Sequence, residues 1–252
     1  MIKQVIAGLL VSSNVCFAQS TTHVATTTSF VDNLSVCDTL TLVNYKSGSA
    51  ANADTTLFLF AQGVGYKISN DLTASLDVPV YIDNGTDLGA VGLDLTWSAC
   101  KNESFSLALS VGVDTPMNTD FGATSFNPNF GGVVVCLLPW GGGQFTQSLN
   151  YEFVTGDAYS LPFGSKVSDD ILTAQSSLAF PVGEALQLGV SVWQNYTVDT
   201  DGQQNILMGP NAGWSITENV DLNVDVAIPV YQNVSNSAEQ NYTVSAGLSI
   251  KF

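Results

Sequence analysis

Apolar and polar residues alternate one by one along most of this sequence, and that period of two constrains the fold more than any other feature. From Leu72, the residues Leu72, Ala74, Leu76, Val78, Val80 and Ile82 are apolar and their neighbours Thr73, Ser75 and Asp77 are polar. The pattern returns at Phe105, Leu107, Leu109, Val111 and Val113, at Val220 to Val230, and at Tyr242 to Phe252. Side chains of a strand point alternately to its two faces, so each segment is a strand with one oily and one wet face. No stretch after residue 18 carries a sustained helical period, and none approaches the ~20 apolar residues a membrane helix needs. The alternation predicts twelve strands, near 38–47, 54–68, 72–83, 88–100, 104–114, 128–139, 144–155, 171–181, 185–198, 204–216, 219–231 and 240–252. With 252 residues, 45% of them hydrophobic, the chain has enough apolar surface for one folded body.

The connections alternate as well. Ser69 to Asp71, Lys101 to Glu103, Trp140 to Gly143, Pro181 to Glu184 and the neighbourhood of Glu218 are tight. Thr115 to Ser125, Thr155 to Asp170, Asp199 to Gln203 and Gln232 to Glu239 are longer, with Asn84 to Thr86 the short exception. Short turns on one rim and long loops on the other, with an even strand count, describe an antiparallel transmembrane β-barrel whose short turns face the periplasm. A soluble sandwich alternates too, but three further signals favour the membrane. The chain ends on Ser249-Ile250-Lys251-Phe252, which resembles the closing strand of bacterial outer-membrane barrels. Trp97, Phe105, Trp140, Phe145, Phe180, Trp214 and Phe252 fall at the short-turn rim, with Tyr45, Phe153, Tyr196 and Tyr242 nearer the other, as two interfacial girdles would require. The oily faces carry almost no charge, although the chain has 22 acidic residues. The fold class is therefore an all-β, single-domain outer-membrane barrel of about 12 strands.

Ahead of the strands, Lys3, the apolar run Val5 to Val11 and Ala18 read as a secretory signal peptide over residues 1–18. The threonine-rich segment from Gln19 to Val36 is a lead or short plug, and the barrel is expected over 37–252. The single histidine, His23, lies in that lead and reads as solvated. Cys37, Cys100 and Cys136 would remain after processing, an odd number that closes no disulfide framework, so they read as isolated small residues.

All six basic residues are lysine, and the formal charge is −16. Without a basic face nucleic acid is excluded as a partner, and without arginine there is no bidentate fork for phosphate or carboxylate. Strand parity places Lys67, Asp77, Asp94, Asp114, Glu152, Asp221, Asp225 and Lys251 on the lumen or its mouths. Six acids against two lysines predict a negative interior that attracts cations. Enzymatic chemistry is not expected. Outer-membrane phospholipases and proteases use a histidine that this barrel lacks, and Asp221 and Asp225, four residues apart on one strand, lie ~13 Å apart, too far to share a proton. No cofactor or metal site is expected. Asp199-Thr200-Asp201-Gly202 and Asp114 to Asp120 do not fit the twelve-residue calcium loop.

Sliding the sequence by 150 positions aligns Asp71-Leu72 with Asp221-Leu222, and Pro79-Val80-Tyr81 with Pro229-Val230-Tyr231. A proline withholds a ladder donor, so both prolines belong at a bulge or near a strand end. Asn70-Asp71-Leu72 leading to Val78-Pro79-Val80, echoed by Glu218-Asn219-Val220 leading to Ile228-Pro229-Val230, resembles the turn-and-strand motif of the outer-membrane transporter family associated with meta-pathway phenol degradation. The likeness runs from about Asp54 onward and implies barrels of this size that pass small, often hydrophobic molecules. The expected function is a passive channel or transporter for small solutes with an acidic, weakly cation-preferring lumen, in contact with outer-membrane lipid. The other reading is a non-conducting structural or surface-interaction barrel that uses the long loops 115–125 and 155–170.

Overall fold

Every alternating segment forms a strand in the structure, a computed structural model that describes residues 34–46, 55–83, 85–102, 104–117, 119–160, 162–198, 202–234 and 239–251. The wall strands are β1 (Leu34–Lys46), β2 (Thr55–Lys67), β3 (Leu72–Ile82), β5 (Gly92–Lys101), β6 (Phe105–Asp114), β7 (Asn127–Leu137), β8 (Gln144–Glu152), β11 (Ile171–Val182), β12 (Leu186–Thr197), β13 (Gln204–Thr217), β14 (Val220–Asn233) and β15 (Glu239–Lys251). Three short strands, β4 (Thr86–Leu88), β9 (Ala158–Ser160) and β10 (Ser165–Val167), lie within connections. Each wall strand pairs antiparallel with the next, and β1 pairs with both β15 and β2, so the twelve-stranded sheet closes on itself and leaves no edge. The described residues contain no helix.

The expected spans match these strands to within about four residues. β1 starts at Leu34, so the expected start of the barrel at residue 37 falls inside a strand. The signal segment and the lead up to residue 33, with His23, lie outside the described residues. The one connection that broke the long-loop rule is not short: it runs 83–91, and its strand β4 folds back onto β3. At the opposite rim, Gly141, Gly142 and Gly183 have φ of 68°, 63° and 84°, the left-handed geometry that tight turns require. The prolines sit where a missing N–H is harmless. Pro79 lies where β3 changes partner, from β5 at Asp77–Gly92 to β4 at Val80–Leu88. Pro229 lies beside the β13–β14 bulge, past the last β14–β15 pair at Ala227–Thr243.

The outer surface is oily. Leu40, Phe58, Phe60, Leu93, Leu109, Val111, Leu149, Val190 and Ile228 are all exposed. A soluble protein does not leave an apolar face of this extent open to water, whereas hydrocarbon accommodates it. Trp97, Trp140 and Trp214 project from the short-turn side, with Trp140 stacked on Phe180 at 5.8 Å between ring centroids. Asp38 is the exception on this face. Its carboxylate accepts a hydrogen bond of 3.1 Å from Gln62 on the neighbouring strand, which satisfies part of its charge away from water. Tyr45, expected in the outer girdle, instead points inward and is 4% exposed, because it shares the parity of the inward Thr39, Thr41 and Val43. Among the described cysteines, Cys100 and Cys136 are free, whereas Cys37 is disulfide-bonded and so departs from the expectation of isolated thiols.

Candidate functional site: the lumen wall and its lid

Much of the inward face is polar, because the complementary parity of the strands carries Ser, Thr, Asn, Gln and Asp there. Asp77, Asp94, Asp114, Glu152 and Asp221 are buried there, between 1% and 6% exposed, and Asp225 is half-buried on the same face of β14. Lys67 is half-buried at the end of β2, paired with Thr73 of β3, and Lys251 ends β15 opposite Ser35. The eight residues form two groups. Asp77, Asp94, Asp114 and Glu152 come together on adjacent strands: Asp77 and Asp114 flank Gly92, while Asp94 lies one row below, followed around the wall by Gly112, Asn129 and Glu152. Asp221 and Asp225 stand apart on β14, where Ser215 Oγ donates to Asp221 at 2.8 Å.

Glycines make room for these side chains. A Cβ built on Gly63 would lie 2.5 Å from an Asp77 oxygen, and one built on Gly112 would run into Asp94. The same holds for Asn211 across Gly189, at 2.6 Å, and Asn223 across Gly213, at 3.0 Å. Inward Asp and Asn side chains thus lie flat over a glycine of the neighbouring strand instead of reaching toward the barrel axis. The Asn211 and Asn223 beds adjoin a cavity of about 110 Å³ in the short-turn half, lined also by Gln144, Gln175, Ser191, Asp221 and Asp225.

The long-loop half is filled by apolar residues, which strand parity alone did not reveal. Val43, Tyr45, Leu57, Leu59 and Tyr81 point inward and pack against Phe121 and Tyr159, which belong to the loops 115–126 and 153–170. Tyr81 and Phe121 stack at 4.7 Å, with Tyr159 edge-on to both. A second cluster seats the fully buried Phe163 among Ala90, Ala123, Val154, Ala158, Val167 and Ile171. Polar contacts tie the two loops together: Asp157 N–H donates to Thr124 Oγ1 at 2.8 Å, Thr155 Oγ1 donates to Phe126 O at 2.8 Å, and Lys166 Nζ donates to Thr119 O at 3.0 Å. The wall holds the lid from the far side, where the Asn205 amide donates to Pro162 O at 2.7 Å and to Gln240 Oε1 at 2.6 Å. Burial pushes the Tyr159 hydroxyl up to about 12. Phe121, Tyr159 and Phe163 of the two long loops thus pack inward as a lid over the mouth, while Phe126 and Phe153 at the loop ends stay exposed. Asp199 to Asp201 lie outside the described residues, and among those described no three His, Cys, Asp or Glu side chains converge as metal ligands.

The sequence profile of the family described as "Putative MetA-pathway of phenol degradation" matches residues 38–252. The chain belongs to this family. Its fold is also that of outer-membrane porins and channels. An outer membrane channel from Pseudomonas putida F1 superposes with a TM-score of 0.62 at 12% identity, covering 86% of this chain and 95% of that one. The NanC porin superposes with a TM-score of 0.58 at 10% identity, covering 87% and 100%, and the KdgM porin with 0.51 at 11%, covering 86% and 99%. The sequence matches none of the curated proteins with which it was compared. A closed barrel that is oily outside, polar inside and girdled by aromatic residues belongs in the outer membrane, and that is where this family member resides.

Proposed function

We propose that this protein is a passive outer-membrane channel for small solutes, whose acidic lumen gives a weak preference for cations. The observation that carries the reading is the imbalance of the inner wall: Asp77, Asp94, Asp114, Glu152, Asp221 and Asp225 face inward, against Lys67 alone among described side chains. In a narrow pore with low-dielectric walls, such an excess raises local cation concentration and repels anions. The porins and the channel with this fold support passage as the use of the lumen. Twelve strands enclose less space than the 16 to 18 of large porins, which suits small solutes. The partners in this reading are lipid and small solutes, with no nucleic acid, cofactor or catalysis. Reversal potentials in planar bilayers across a potassium chloride gradient test it. The expected sign is that of cation preference, and anion preference or silence from correctly folded protein would refute it.

A further inference from the structure

We infer that Asp94 and Asn129 form a binding site for a hard divalent cation of the calcium type on the lumen wall. The inference rests on the channel reading above and names the point where that channel would hold its ion. Asp94 of β5, Gly112 of β6 and Asn129 of β7 are consecutive members of one cross-strand row. Gly112 has no side chain, and the two polar groups converge over it: a Cβ there would collide with Asp94 Oδ1 and lie 2.8 Å from Asn129 Oδ1. Both side chains are buried, at 5% and 4% exposure. Neither carboxylate oxygen of Asp94 and neither amide atom of Asn129 has a hydrogen-bond partner among the described residues. A buried carboxylate without a partner is costly, and a charge of opposite sign removes that cost.

The strands that carry the pair and their immediate neighbours place no such charge beside it. The described residues of β3, β5, β6, β7 and β8 carry one basic side chain, Lys101, exposed at the far end of β5. Glu152 follows Asn129 in the same row and accepts from Asn127 Nδ2 at 3.3 Å, while Asp77 and Asp114 flank Gly92 one row away, so the local field draws cations. Carboxylate and amide carbonyl oxygens suit calcium, which accepts irregular oxygen sets completed by water. Two protein oxygens make a weak, exchanging site rather than a cage, as conduction requires.

The purified full chain, folded in detergent micelles, is titrated with calcium chloride by equilibrium dialysis. Wild type should bind one calcium ion that Asp94→Asn binds at least tenfold more weakly, with Asp221→Asn unchanged. Asn129→Asp decides between two geometries. It should tighten calcium at least tenfold if both oxygens face the ion. If instead the Asn129 amide donates to Asp94, the same change sets two carboxylates side by side, leaves calcium binding no tighter and overturns the site. Heat-modifiable gel migration confirms that each variant is folded, and if Asp94→Asn fails that check, Gly112→Ala, which fills the space between the two groups, takes its place with the same expected loss. Absence of calcium binding by wild type, or equal binding by the variants, also overturns the inference. In bilayers, cation preference unaltered by Asp94→Asn would refute the site and leave the channel reading intact, whereas anion preference with calcium binding retained would refute the channel reading and leave the site.

Discussion

Removing the side chain at the centre of the lid, by Phe163→Ala, should turn a closed mouth into one that opens often. Phe163 is fully buried among Ala90, Ala123, Val154, Ala158, Val167 and Ile171, and of these only Ile171 belongs to the wall. Truncating a fully buried phenylalanine costs about 3–5 kcal/mol through lost burial and the cavity left behind. Because the surrounding residues come from connections, that cost falls on lid closure and not on strand pairing. Each 1.4 kcal/mol is tenfold in an equilibrium, so about 3 kcal/mol shifts the open-to-closed ratio roughly a hundredfold. A lid open about one part in a hundred becomes open about half the time. Single-channel recording in planar bilayers should show a large rise in open probability for Phe163→Ala, with heat-modifiable migration like that of wild type. A folded variant with unchanged open probability would refute the claim that these loops close the pore.

Three further outcomes follow from the same structure. Burial holds the Tyr159 hydroxyl neutral past its usual range, so lid stability should persist up to about pH 10 and fall as pH rises toward about 12; conductance should rise across that window in wild type and less steeply in Tyr159→Phe. Asp38→Leu removes the one carboxylate on the described lipid face and should stabilise the barrel by about 1 kcal/mol, read as a higher urea midpoint for unfolding in lipid vesicles, whereas Gln62→Leu, which strips that carboxylate of its donor, should lower the midpoint. The free, exposed Cys100 lies at the short-turn end of β5, so a membrane-impermeant maleimide should label it in opened cell envelopes and not in intact cells. Labelling from outside would invert the assigned orientation.

The wall was legible in the sequence because period two is a one-dimensional signal: the segment from Leu72 to Ile82 shows both its faces without any knowledge of its neighbours. Inward placement of the acids followed from the same parity. What parity could not supply is which residues lie side by side across strands. Gly63, Gly112 and Gly189 read along the chain as weak strand positions, and their use as beds for Asp77, Asp94 and Asn211 exists only once the registers are known. The lid was hidden for a different reason. Phe121, Tyr159 and Phe163 sit in connections where alternation says nothing, although aromatic residues in a loop taken to face water were themselves a signal. The unbroken apolar run Leu57-Phe58-Leu59-Phe60-Ala61 was another, because a strand apolar on both faces needs cover on its inner side as well. Tyr45 was placed in the girdle by its height on the strand, when the parity of β1 already turned it inward.

Gel migration of the purified chain with and without boiling tests the central claim, a closed barrel with its oily face in lipid, most directly. In detergent the unboiled protein should run as a distinct compact band that converts to the unfolded position on heating, and without detergent it should sediment with the membrane. A single band whatever the temperature, from protein that stays monomeric in detergent-free buffer, would contradict the account.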